Sequence, residues 1–274
     1  MSDHISSMKM NTKMIFLGLF TAGSLSAVGQ AIQQELPQDA NTGHPLTGTW
    51  VRTGHSGPIG LHFKNDGLVE GDFGNDGSVD VVAAYELHGD TVRFTDTEGQ
   101  MCQGDGLYKM SQTAYYLALD LIEDNCGGRI NQIMGFWTKP NFRELIATLD
   151  REISDSPGPE SYLNRARIHM ALGQSEQAKE DFDAYILHDP SNARVYVNRA
   201  GTRFPADLEG VVADCDKAIA IDPGLKNAYF LRGLARYELG NKELGCEDFS
   251  MAIALGFSVL RIAEQEKCAS YWDE

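Results

Sequence analysis

Few side chains in this chain are spaced for chemistry. His44, His55 and His62 lack the intervals of a metal site and have no cysteine partners, so a bound metal is not expected. His55-Ser56-Gly57 puts a base beside a hydroxyl, but no nucleophile elbow or third partner accompanies it. Asp66, Glu70, Asp72 and Asp76 form a local acidic cluster. Tested as a calcium loop opening at Asp72, it offers Gly74 at the third position and Ala83 at the twelfth, where the bidentate acid is required. Solvated turns explain these acids better. With no phosphate loop or dinucleotide fingerprint either, neither a catalytic residue nor a cofactor is expected.

The acids instead set the charge. Thirty-nine Asp and Glu against 23 Lys and Arg give a formal net charge of −16 over 274 residues. A nucleic-acid binder needs a basic face to neutralise phosphates, so nucleic acid is excluded as a partner. No uninterrupted apolar run is long enough for a stable membrane span.

The chain opens with Lys9 and Lys13, then the apolar run Met14–Phe20, then small residues to Gly29. That is the layout of a secretory signal peptide, expected over 1–31 with cleavage after Gly29 or Ala31. The run is short for an anchor and is diluted by Gly, Ser and Thr. The chain is thus expected to be exported, to a periplasm or outside the cell. Residues 32–45 are polar and read as a flexible leader.

From 46 to 140, apolar and polar residues alternate in short runs. Asn65-Asp66-Gly67, Asn75-Asp76-Gly77 and His88-Gly89-Asp90 punctuate them with residues that accept the left-handed conformation of tight hairpins. About eight strands with no helical pattern between them predict an antiparallel barrel or sandwich. Leu46-Thr-Gly48-Thr49-Trp50, with Gly106-Leu-Tyr108-Lys and Gly135-Phe-Trp137-Thr-Lys further on, resembles the lipocalin-like domains of secreted bacterial proteins. The resemblance implies that Trp50 closes one end of the barrel, packed under an Arg near the last strand. Lys139 stands where that Arg would be, and Arg129 is the nearest substitute. Such a barrel could carry one small apolar ligand among Leu61, Phe63, Val81 and Phe94, or be filled by its own side chains.

After a linker at 141–158 the period changes. Tyr162-Leu-Asn-Arg-Ala166, Tyr196-Val-Asn-Arg-Ala200 and Tyr229-Phe-Leu-Arg-Gly233 recur at intervals of 34 and 33 residues. Glu180-Asp-Phe-Asp183, Ala213-Asp-Cys-Asp216 and Glu247-Asp-Phe-Ser250 follow them, and Pro190 and Pro223 close the first two units. This pattern resembles the tetratricopeptide repeat. It implies three helical hairpins at 159–192, 193–225 and 226–257, with a capping helix at 258–272 over the open face. The middle unit has a shorter turn at Phe204-Pro205, so its first helix should end near Arg203. The fold class is therefore α+β in two domains, a barrel followed by an α-helical repeat stack.

Register places Leu163, Arg167 and Met170, then Val197, then Phe230, Leu234 and Tyr237 on the wall formed by the first helices. This apolar groove is the candidate site for a protein or peptide partner. Some repeat proteins clamp a terminal carboxylate with paired Lys and Asn; Lys is missing at the matching positions here, so that activity is not expected.

The five cysteines complete the picture. Cys215 replaces Phe182 and Phe249 and should be a buried, inert thiol. Cys102 and Cys126 flank one strand pair, are the only cysteines of the barrel and should pair. Cys246 lies ten residues before Gly256 and Cys268 twelve after it. A chain reversal at Gly256 would bring both to roughly 15–18 Å from the turn, so these should pair too. Each bridge closes a loop contributing about 3 kcal/mol.

Overall fold

The structure, a computed structural model, describes residues 46–54, 57–98, 102, 104–257 and 268. The signal and leader expectations, and the capping helix apart from Cys268, lie outside the described residues.

Eight strands form a closed barrel: β1 Gly48–Gly54, β2 Gly57–Phe63, β3 Leu68–Phe73, β4 Val81–His88, β5 Thr91–Glu98, β6 Asp105–Gln112, β7 Tyr116–Glu123 and β8 Gly135–Thr138. Each runs antiparallel to the next, and β8 returns to β1 with Val51 opposite Thr138. Closure removes the unpaired strand edges that invite aggregation. The Asn/Asp-Gly turns act as the sequence implied: Gly67 sits at φ +83° and Gly89 at φ +65°, conformations that a Cβ penalises.

Two helices were not foreseen. Between β7 and β8 lies α1 (Gly127–Ile133), started by Cys126, whose sulfur accepts from the Arg129 amide at 3.4 Å. At seven residues it is too short to show a helical period. The stretch 141–158, expected as a linker, contains α2 (Phe142–Asp155). Its Phe142, Leu145, Ile146 and Leu149 have helical spacing and pack onto Val51 of β1 and Ile168 and Leu172 of the first repeat. This apolar cluster fastens the barrel to the helices. Thr53 Oγ1 donates to the Leu172 carbonyl at 3.1 Å, and Glu152 accepts from Tyr115 of the barrel at 3.1 Å and Ser161 of the repeats at 2.9 Å.

Three helical pairs follow: α3 Pro159–Ala171 with α4 Ser175–His188, α5 Ala193–Arg203 with α6 Leu208–Ile221, and α7 Lys226–Glu238 with α8 Lys242–Ala254. The middle pair's first helix ends at Arg203, as its short turn requires. Small residues sit where paired helices cross. A Cβ on Gly233 would lie 2.8 Å from the Phe249 ring and 3.0 Å from the Gly245 carbonyl.

An ionic ladder runs through the stack at the repeat period. Arg165, Arg199 and Arg232 each bind a buried Asp of their own pair, at 181, 214 and 248. Each also binds an Asp of the preceding helix, at 150, 183 and 216. Asp150 belongs to α2, which therefore serves as the second helix of a half-unit ahead of the first repeat.

Candidate partner-binding cleft

The barrel packs on α3, the first repeat helix, chiefly through β8 and at its margins through β1 and β7. Leu117, Leu119 and Leu121 point into the barrel core, so Tyr116, Ala118, Asp120 and Ile122 point out, by the two-residue period of a strand. Tyr116 and Ala118 are buried against the helices; Asp120 and Ile122 are exposed. Tyr116 thus lies at the closed, buried end of β7 and Asp120 at its open, exposed end.

At the closed end Arg167 donates to the Tyr116 hydroxyl, and its guanidinium lies 4.4 Å from the Tyr116 ring centre and 5.8 Å from that of Phe136. Burial pulls the Arg167 pKa below its ordinary value. At the open end Asp120 lies within electrostatic reach of Arg194 on α5, Lys226 on α7, Arg167 and Lys109, its cross-strand partner on β6. The Asp120 side chain reaches solvent along the cleft, yet the flanking walls strip enough water to push its pKa up against the pull of these cations. Lys226 Nζ donates to the Gly256 carbonyl at 3.2 Å and stands 3.5 Å from the carbonyl of Leu121 on β7.

The expected groove residues divide. Leu163 and Leu234 are buried among Phe182 and Phe249 respectively and leave the candidate surface, because they fill the hairpin cores. Arg167 is taken by the barrel. Met170, Val197, Phe230 and Tyr237 are half-buried. Phe230 stacks on Phe257 with ring centres 4.7 Å apart, and Lys242 Nζ lies 5.6 Å from the Tyr237 ring. Arg194 and Lys226 were missed. Their positions at the start of each first helix were the only signal, and nothing in sequence pairs them with Asp120.

The barrel interior gathers a large apolar core. Trp50, Phe63, Phe94, Tyr108, Leu119 and Trp137 are fully buried together with Leu61, whereas Val81 is half-buried. Lys139 does replace the Arg of the lipocalin-like pattern. Its Nζ lies 3.6 Å from the Trp50 ring centre, and burial brings its pKa down to about 8. Arg129 instead joins Asp124 at 2.6 Å and Asp96 at 3.1 Å, with the Tyr108 hydroxyl donating to Asp124 at 2.6 Å.

Cys102 is bridged to Cys126 and Cys246 to Cys268, with Cα atoms 5.5 and 5.6 Å apart. Cys215 is free and buried, and burial pushes its thiol pKa up. Among the described residues, no three His, Cys, Asp or Glu side chains gather as metal ligands, and no helix is long and apolar enough to cross a membrane.

Comparison with known proteins agrees with the repeat pattern. Residues 159–192 match the family model of the tetratricopeptide repeat. Tetratricopeptide repeat protein 34 of Mus musculus is 33% identical over 126 residues, 43% of this chain. The chain spans only 23% of that mouse protein. Among solved structures, MamA covers 48% of this chain and 78% of its own at 18% identity and a TM-score of 0.44. The first repeat domain of Spaghetti, solved bound to an HSP90 peptide, covers 44% and 97% at 22% identity and a TM-score of 0.40. Residues 159–192 thus match the tetratricopeptide repeat, and the stack of helical pairs that contains them is joined to a closed eight-stranded barrel.

Proposed function

We propose that the chain is an exported, non-catalytic binding protein whose repeat wall holds a protein or peptide partner. One observation supports this reading: Met170, Val197, Phe230 and Tyr237 on the first helices remain half-buried, while Leu163 and Leu234 fill the hairpin cores. Half-buried apolar side chains beside anchored charges suit recognition of another chain. Two disulfides support an oxidising compartment, in keeping with the signal-like start. The barrel, its core packed with aromatic and aliphatic side chains, serves in this reading as a rigid structural module beside the repeats.

A photo-crosslinking residue placed at Val197, in the native host, tests this reading. It should yield a discrete protein adduct, whereas the same residue at Leu187, which is 87% exposed on α4, should not. Identical patterns from both positions would refute the assignment.

A further inference from the structure

The two strands that close the barrel carry one pattern twice. Leu46-Thr-Gly48-Thr-Trp50-Val-Arg52 runs through β1, and Ile133-Met-Gly135-Phe-Trp137-Thr-Lys139 runs through β8. Each is an aliphatic residue followed by a glycine, a tryptophan and a cation at every second position. Both tryptophans donate four residues back, Trp50 Nε1 to the Leu46 carbonyl at 3.1 Å and Trp137 Nε1 to the Ile133 carbonyl at 2.9 Å. With Val51 opposite Thr138, the antiparallel register sets Trp50 opposite Lys139 and Arg52 opposite Trp137. The side chains meet accordingly. Lys139 Nζ lies 3.6 Å from the Trp50 ring centre, and the Arg52 guanidinium lies 5.3 Å from that of Trp137. The glycines leave each cation its place: a Cβ on Gly48 would stand 3.8 Å from Lys139 Nζ, and one on Gly135 would stand 3.1 Å from Arg52 Nη1. The two copies are thus related by a local two-fold axis between Val51 and Thr138. The lipocalin-like resemblance implied the clasp at Trp50; its reciprocal at Trp137 is a second one.

We infer that the β1–β8 seam is a latch, held from inside by the two reciprocal cation–aromatic clasps and from outside by the first repeat, so that the barrel opens there as α3 lifts. The backbone contributes little to this joint. One aligned pair joins β8 to β1, whereas seven join β1 to β2. Among the described residues neither Arg52 nor Lys139 forms an ion pair; apart from the Trp137 ring, Arg52 donates to the Met134 carbonyl. Parting the strands would break both clasps at once and bare two indole faces to water. On the outer side, Val51 packs into Phe142, Leu149, Ile168 and Leu172. Thr53 Oγ1 reaches the Leu172 carbonyl at 3.1 Å, and the Arg167 guanidinium lies 5.8 Å from the ring centre of Phe136 on β8. Helix α3 therefore lies over the joint with the fewest aligned backbone pairs, and the repeats splint the barrel whatever the repeat wall binds.

Hydrogen–deuterium exchange of the full disulfide-intact chain, resolved by peptide, tests the latch. In the unaltered protein, amides of 135–138 should exchange roughly fivefold or more faster than those of 57–63. Arg167→Ala, which changes only the outer hold, should speed exchange over 48–54 and 135–138 roughly threefold or more and leave 57–73 unchanged. Arg52→Ala and Lys139→Ala should each produce the same pattern from inside, and each should speed both strands, because one joint carries both clasps. Should an inner variant fail to fold, the unaltered protein and Arg167→Ala still decide. Equal exchange at the seam and at β2, acceleration spread evenly over all strands, or no response to Arg167→Ala would overturn the proposal. None of these readings depends on a partner, so the Val197 crosslink and the latch can fail separately.

Discussion

Removing Arg165 isolates what the ionic ladder contributes. Its guanidinium makes three contacts to Asp181, at 2.6, 3.0 and 3.2 Å, and one to Asp150 at 2.5 Å. The Asp181 side chain is only 4% exposed, whereas Asp150 is 53% exposed. The Asp150 contact is therefore worth ~0–1 kcal/mol. Arg165→Met strands a buried carboxylate, a loss of about 3–5 kcal/mol. Asp214 and Asp248 each have a second arginine within reach, Arg203 at 3.4 Å and Arg236 at 2.9 Å. Among the described residues Asp181 has only His169 as a second partner, at 3.8 Å, so the first rung should be the most sensitive. Burial already outweighs the pull of Arg165 and holds the Asp181 pKa above its ordinary value. The intact pair is thus no large net gain, and Arg165→Met with Asp181→Leu should cost less than Arg165→Met alone. The pH dependence has a definite sign. Without Arg165 the Asp181 pKa rises further, so the variant loses stability as pH climbs through that value. Its deficit against wild type should be smaller at pH 5 than at pH 8. Urea unfolding at both pH values measures this, and thermal unfolding should show a drop of roughly 6–20 °C at neutral pH. A single-variant cost under ~1 kcal/mol, or a double variant as costly as the two singles added, would refute the reasoning.

Lys139 offers a second pH effect: with its pKa lowered to about 8, the cost of burying its charge is present below that value and is relieved as pH rises toward the ordinary 10.5. The stability difference between wild type and Lys139→Met should shift in favour of wild type over that interval; a flat difference from pH 7 to 10.5 refutes the assignment. Thiol titration of the oxidised protein should find one group after denaturation, Cys215, and none before it; three would contradict one bridge and five would contradict both. Gly233→Ala should cost ~1–3 kcal/mol, because its methyl would press on Phe249 and the Gly245 carbonyl at 2.8 and 3.0 Å. An unchanged melting temperature would show that the helices can separate at little cost.

The repeats were legible because a 33–34-residue period imposes the same demand three times. Ala166, Ala200 and Gly233 announce a helix crossing, and Pro190 and Pro223 announce an end. The barrel was legible for the complementary reason, since alternation and Asn/Asp-Gly turns are local. What escaped was either too short or too distant. Helix α1 spans seven residues and opens on two glycines, so no period develops. Helix α2 does carry helical spacing, but nothing marks Asp150 as a rung until Asp183 and Asp216 are seen to occupy the same place. The arginines of the ladder were visible within each repeat motif. Their role was not, because a motif shows which residues recur and not which neighbour each one touches.

The cleft is the furthest from sequence. Arg167 meets Tyr116 across 51 positions, and Lys226 approaches Leu121 across 105. Neither pairing follows from a period or a turn; both depend on how α2 fixes one domain against the other. That dependence bears on specificity. A repeat wall alone presents helical side chains to any extended chain of suitable shape, and here its first-repeat end is already occupied by Tyr116. Under the proposed binding role, the width of the space left to a partner on this wall is set by how the barrel sits against the repeats. Because Val51, Phe142, Leu149, Ile168 and Leu172 pack as one apolar cluster, that width is held by buried contacts and not by a tether. Widening the cleft would expose those side chains to water. Substitutions in the α2 cluster should consequently alter partner selection without touching a single cleft residue.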